Sequence, residues 1–167
     1  MPASTEPPRR LRGVIFGSGG VARHAHLPAF QHDPAVRERI EIVAVVDGAD
    51  DLPPLDGIPI LRTPDALAEL GPVDFIDVCT PTKSHVDLTL WGIAQGYHVI
   101  CEKPVATSRA EATRIRAAAA AAARVVAPCH QYRFNPVWGR IRTWLEEGRI
   151  GRWHLAELSV HRPGADP

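Results

Sequence analysis

Residues 12–22, RGVIFGSGGVA, carry an apolar run straight into a glycine-rich turn and on into a segment suited to helix. The run Arg12–Phe16 shows no strict alternation of apolar and polar residues, as expected of a strand covered on both faces inside a parallel sheet. Gly17-Ser18-Gly19-Gly20-Val21-Ala22 then spells G-x-G-x-x-A. At such a junction the first glycine makes the tight turn and the second lets an anionic group approach the backbone. The small sixth residue allows close helix–strand contact. A bound pyrophosphate would rest at the helix N-terminus, where unpaired N–H groups and the helix dipole favour negative charge. A glycine turn alone is a weak signal; placed between a strand and a helix it is a strong one.

The rest of the first 130 residues repeats the alternation. Further strand-like runs are EIVAVVD (41–47), VDFIDVCT (73–80), YHVIC (97–101) and RVVAPC (124–129), with a weaker one at GIPIL (57–61). Between them lie helix signals. Thr63-Pro64-Asp65 has a capping residue, a proline at the first helical position and an early acid. The stretch Ser84–Gln95 is stopped by Gly96. Ser108 with Glu111 forms a capping box opening an alanine-rich helix to about Ala123, a run that strong helix propensity explains. The reading is an α/β fold, a doubly wound parallel sheet of the Rossmann kind. Its expected limits are 11–131, after a loose tail at 1–10 rich in proline and charge.

Asp47 closes the second run, where a carboxylate accepts hydrogen bonds from the adenosine ribose hydroxyls and repels a 2′-phosphate. Gly48-Ala49-Asp50-Asp51 follow with no arginine and two more acids. The expected cofactor is therefore NAD, with NADP second. A methyltransferase pairs a glycine loop with an acid in the same way, but gives no reason for the strand end described next.

That strand end is HVICEKPVA, residues 98–106, in which an apolar run finishes on Cys101-Glu102-Lys103-Pro104. A surface turn could produce this sequence. Alternatively, the strand delivers a lysine to a cleft and the proline fixes the backbone there. Beyond residue 130 the pattern changes. Val137, Trp138, Ile141, Trp144 and Leu145 make one apolar helical face ending at Gly148, and WHLAELSVH (153–161) has strand-like alternation.

Composition adds exclusions. Lys plus Arg and Asp plus Glu are balanced at 19 each, with a pI near 7.1, so bulk charge points to neither nucleic acid nor an anionic membrane. No apolar run reaches the roughly 20 residues of a membrane span. The N-terminal stretch lacks the apolar core of a signal peptide. Cys79, Cys101 and Cys129 form no CxxC pair and read as small buried hydrophobes in a reducing compartment. The expected location is cytoplasmic. His24, His26, His32, His98, His130, His154 and His161 show no metal-ligand spacing with acids and are taken as structural; no metal is expected.

The sequence resembles the Gfo/Idh/MocA oxidoreductase family through GVIFGSGGVARHAHLPAF (13–30), VVD (45–47), DVCTPTKSHVDLTLWGIAQGYHVICEKPVA (77–106) and YRFNPVWGRIRTWLEEGRIG (132–151). The T-P-x-x-x-H plus E-K-P combination is the most specific part. The resemblance implies NAD(P)-dependent hydride transfer on a sugar or polyol, with the E-K-P turn beside the nicotinamide. Lys103 would then be the catalytic acid–base group, since a lysine near oxidised nicotinamide is pushed toward its neutral form. Glu102 would hold the cleft wall, and a Lys103–Pro104 cis peptide is the kind of bond that proline makes low in energy. Thr80 and Pro81 would line the nicotinamide–ribose side, with His85 near that wall and Arg133 near the cofactor.

Members of that family carry a second domain, an open antiparallel sheet that receives substrate and supplies a D-x-x-x-H histidine. Here 132–167 reads as only the truncated start of it, so the expectation is an intact cofactor half without its substrate half. The tryptophan-bearing helix and the following strand would leave an apolar patch and unpaired edges, which implies a homo-oligomer or partner chain contacted through 136–161. The alternative is a non-catalytic NAD-binding or interaction protein.

Overall fold

The computed structural model describes residues 9–55 and 57–159. The chain divides into two compact units, Met1–Cys129 and His130–Pro167. Among the described residues no helix is long and apolar enough to cross a membrane.

The first unit is a six-stranded, all-parallel sheet. Its strands are β1 (Leu11–Phe16), β2 (Ile40–Val46), β3 (Ile60–Leu61), β4 (Phe75–Val78), β5 (His98–Cys101) and β6 (Val126–Pro128), in the order β3-β2-β1-β4-β5-β6. The chain winds outward from β1 in one direction, then returns and winds outward in the other. That reversal between β1 and β4 opens a crevice beyond the carboxyl ends of the strands, the place where such sheets bind ligands.

Both faces are covered, which is why the strands read as nearly continuous apolar runs. On one face Val14, Phe16, Ile76, Val78, Val99 and Cys101 pack with Ile93 of α3 (His85–Ala94) and Ile115 of α4 (Arg109–Ala121). On the other, Ile15, Val45 and Cys79 pack with Ala22 and Leu27, from a π-helical turn (Ala22–His26) that runs into α1 (Leu27–His32). A four-residue helix, α2 (Pro34–Arg37), follows and is capped by the Asp33 carboxylate.

Local signals performed unevenly. The capping box is present, with the Ser108 hydroxyl accepting from the Glu111 N–H and the Glu111 carboxylate accepting from the Ser108 N–H. Gly96, at φ +86°, ends the helix before β5 as its position suggested. The helix expected from Thr63 is instead a 3-10 segment, Pro64–Leu70, with no bond from the Thr63 side chain. Of GIPIL only Ile60–Leu61 pairs, as the short outer strand of the sheet. In the expected tail, residues 1–8 lie outside the described part, and Arg9 is tied to the Asp74 carboxylate by two bonds of 2.6 and 2.8 Å.

The second unit holds a 3-10 turn (Gln131–Phe134) and α5 (Pro136–Glu146), started by the Asn135 side chain accepting from the Val137 N–H. No residue of α5 is buried. The strand expected at 153–161 does not form: residues 153–159 are extended or irregular and exposed, while 160 and 161 lie outside the described part. Alternating side chains favour a strand only where another strand can satisfy its backbone, and among the described residues none pairs with this segment.

Candidate functional site

The turn after β1 sets the geometry. Gly17 has φ +91°, and a Cβ there would come within 3.0 Å of the Cys79 and Thr80 backbone, so the fold itself requires glycine. Gly19 differs: a Cβ built on it meets nothing within 4 Å, and its φ is not in the left-handed region. Among the described residues nothing occupies the space in front of Gly19. Ser18 is buried and gives both its N–H and its hydroxyl to one Asp47 oxygen, each at 2.8 Å. The other Asp47 oxygen accepts from the Ala49 N–H at 3.1 Å. Burial works against the charge of Asp47, but the bonds from Ala49 and Ser18 and the nearby Arg23 outweigh it, holding the carboxyl below its ordinary range. Arg23 itself donates to the Ser18 carbonyl at 2.7 Å and so closes the loop from beneath.

A cavity of about 660 Å³ opens over this turn. Gly17, Gly19, Gly20, Val21, Asp47, Thr80 and Pro81, all singled out from the sequence, line it together. Ser18 and Ala22 lie buried and are not among the lining residues. Sequence reasoning missed Arg62, which lines the cavity and donates to the Ala49 and Asp50 carbonyls. The residues directly after Asp47 supply no arginine, but the sheet does. Because β3 pairs with β2 in register Val46↔Leu61, the residue after β3 falls beside the residue after β2.

His85 lies beneath the site. It is buried, and its ring nitrogens sit 2.7 Å from the Thr80 carbonyl and 2.8 Å from the Pro104 carbonyl. It therefore joins the turn after β4 to the turn after β5 and does not line the cavity. Glu102 is buried, whereas Lys103 and Pro104 are exposed and joined by a cis peptide. None of these three lines the cavity. Arg133 belongs to the second unit, in its 3-10 turn, and is exposed.

A second cluster lies under the ends of β4 and β5, and sequence reasoning passed it over. His26, read from the sequence as structural, gives Nδ1 to the fully buried Asp77 at 2.7 Å and Nε2 to Glu102 at 3.1 Å. The bond with Asp77, then contacts with the Cys129 and Cys79 thiols, holds the imidazole well above its ordinary range against the opposing effect of burial. Burial pushes the Cys79 thiol up to about 11 and Cys101 up to about 12, so both stay protonated and unreactive at neutral pH. Donor atoms of His26, Asp77 and Cys129 lie within 4.8 Å of one another. The missed signal was Asp77 itself, a charged residue inside the apolar strand VDFIDVC.

Comparison with known proteins bears on what this architecture is for. The family model GFO_IDH_MocA, described as an oxidoreductase family with an NAD-binding Rossmann fold, matches residues 11–130. The chain belongs to the Gfo/Idh/MocA oxidoreductase family. Within it the chain is 30% identical over 164 residues to inositol 2-dehydrogenase of Rhizobium meliloti, covering 94% of this chain and 47% of that protein. It is likewise 30% identical over 157 residues to D-glucoside 3-dehydrogenase of Escherichia coli, covering 91% and 44%. The chain thus spans about half the length of these Gfo/Idh/MocA relatives. Among solved structures, the WlbA dehydrogenase of Bordetella pertussis, in complex with NADH and UDP-GlcNAcA, superposes with a TM-score of 0.72 at 23% identity. That match covers 86% of this chain and 42% of the WlbA chain, a likeness of fold.

Proposed function

We propose that the 660 Å³ cavity binds NAD(H) and that this chain is the cofactor-binding part of a dehydrogenase acting on a sugar or polyol. The observation that carries the proposal is the contrast within the glycine loop. Gly17 is demanded by the protein's own backbone, whereas the empty space at Gly19 is demanded by nothing among the described residues and suits a pyrophosphate. Gly19, Gly20 and Val21 would cradle the phosphates at the start of the helix, where first-turn N–H groups have no partner within the helix. Asp47, already held in its charged form, would take the ribose hydroxyls. Thr80 and Pro81 would bound the nicotinamide end. The cofactor supplies hydride exchange when bound. Lys103 would hold or release the substrate hydroxyl proton from the strand end, and His85 would keep the turns carrying Thr80 and Pro104 at fixed separation. The kinship with inositol and glucoside dehydrogenases supports the substrate class.

The charged Asp47 supports NAD over NADP, because a 2′-phosphate there meets a carboxylate. A second reading has an observation of its own: Arg62 lines the same cavity and could offset that repulsion. Calorimetric titration with NADH beside NADPH decides between them. Micromolar NADH binding with much weaker NADPH supports the first, comparable affinities that lose their NADPH component in Arg62→Ala support the second, and no binding of either at millimolar concentration overturns both. The non-catalytic alternative rests on α5, whose Val137, Trp144 and Leu145 are exposed. It expects NADH binding without turnover of inositol, galactose or glucosides, together with self-association or a partner lost in Trp144→Glu. Assembly through 136–161 belongs to the same test.

A further inference from the structure

We infer that His26 is a positioning residue for the Lys103 turn, its ring tying Asp77 on β4 to Glu102 just after β5. The inference rests on the proposed role of Lys103 and extends it. Asp77 Oδ2 receives His26 Nδ1–H at 2.7 Å, and Glu102 Oε1 receives Nε2–H at 3.1 Å. The other Glu102 oxygen, Oε2, accepts the Lys103 backbone N–H at 3.1 Å. A continuous set of bonds therefore runs from the interior of β4 to the backbone of the residue proposed to move the proton. It joins three elements that share no local sequence, and it fixes which way the chain leaves β5.

The chemistry of the partners makes this more than packing. Asp77 is wholly buried and the Glu102 side chain is 11% exposed, so the two carboxylates cannot rely on water to separate their charges. A protonated His26 ring between them, flanked by the Cys79 and Cys129 thiols, offsets part of their negative charge. Lys103 follows Glu102 directly, and its backbone N–H is bonded to that carboxylate. Removing the His26 charge leaves the cluster more negative, which favours the ammonium form and raises the lysine's titration midpoint. Removing the Glu102 charge does the reverse. A residue that merely filled space would produce no such opposition of sign.

The chain is suited to the measurement, because Lys83 and Lys103 are its two lysines. Reductive methylation with ¹³C-formaldehyde gives one NMR signal for each, assigned with Lys83→Arg and separable from the terminal amine by its titration range. In the full chain, His26→Gln is expected to raise the Lys103 midpoint by about half a pH unit, and Glu102→Gln to lower it by a similar amount. The exposed Lys83 should hold still. A Lys103 midpoint that is unchanged in both variants, or moves the same way in both, overturns the inference. Should His26→Gln fail to fold, the wild-type ¹⁵N histidine spectrum decides: both His26 ring nitrogens protonated at pH 8 supports the tie, and a neutral tautomer there overturns it. NADH titration of the same samples keeps the two proposals apart, since loss of the cofactor reading leaves the Lys103 result standing.

Discussion

The turns after β1 and after β5 lie at the same edge of one parallel sheet and are built in opposite ways. The turn after β1 is open: Gly19 and Gly20 are exposed, and a Cβ at Gly19 meets nothing. The turn after β5 is filled: Glu102 is buried, bonded to His26 and to the Lys103 N–H, and His85 anchors the following Pro104 carbonyl. On the proposed reading the first is shaped for a cofactor that comes from outside. The second spends its polar groups on holding one side chain and one backbone direction. On the proposed reading the open turn leaves its backbone free for a ligand, whereas the filled turn holds the Lys103 backbone in a rigid surround.

If the second turn is held by charge, breaking it should cost most. His26→Leu leaves Asp77 and Glu102 buried without their partner, and should lower unfolding free energy by on the order of 3 kcal/mol in urea titrations. Next comes the one glycine of the open turn that the fold requires. Gly17→Ala forces a side chain into φ +91° against the Cys79 backbone and should cost about 1–3 kcal/mol. Gly19→Val sharpens the contrast: stability should stay within about 0.5 kcal/mol of wild type while NADH affinity falls at least about tenfold by calorimetry. Stability and binding falling together at Gly19 would erase the distinction between the turns.

A smaller effect follows from titration. The His26 value is raised from its ordinary 6.5, so its contribution is complete below about pH 6.5 and is lost progressively as pH rises through the folded value. Asp74, lowered by its bond to Arg9, and Asp47 contribute above their ordinary 3.8 and lose that contribution as pH falls through their folded values. Melting temperature should therefore be highest between about pH 4 and 6.5, and the decline on the alkaline side should be shallower in His26→Leu. The smallest expected change belongs to the second cofactor reading: Arg62→Ala should then lose a few-fold in NADPH affinity with NADH binding little altered.

By itself the sequence determined what depends on neighbours along the chain. Continuous apolar runs marked the strands of a doubly covered parallel sheet, G-x-G-x-x-A marked the open turn, and the Ser108–Glu111 box marked the start of α4, because each is set within a few residues. It failed where the outcome needed a partner: WHLAELSVH has the alternation of a strand, yet 153–159 has none to pair with among the described residues. Only the tertiary structure brought Arg62 to the side of Asp47, through the pairing of β3 with β2. Only it joined His26 to Asp77 and Glu102, 51 and 76 residues further along. The physical reason is that strand order and register decide which distant side chains meet, and a buried charge announces that it needs a partner without naming it.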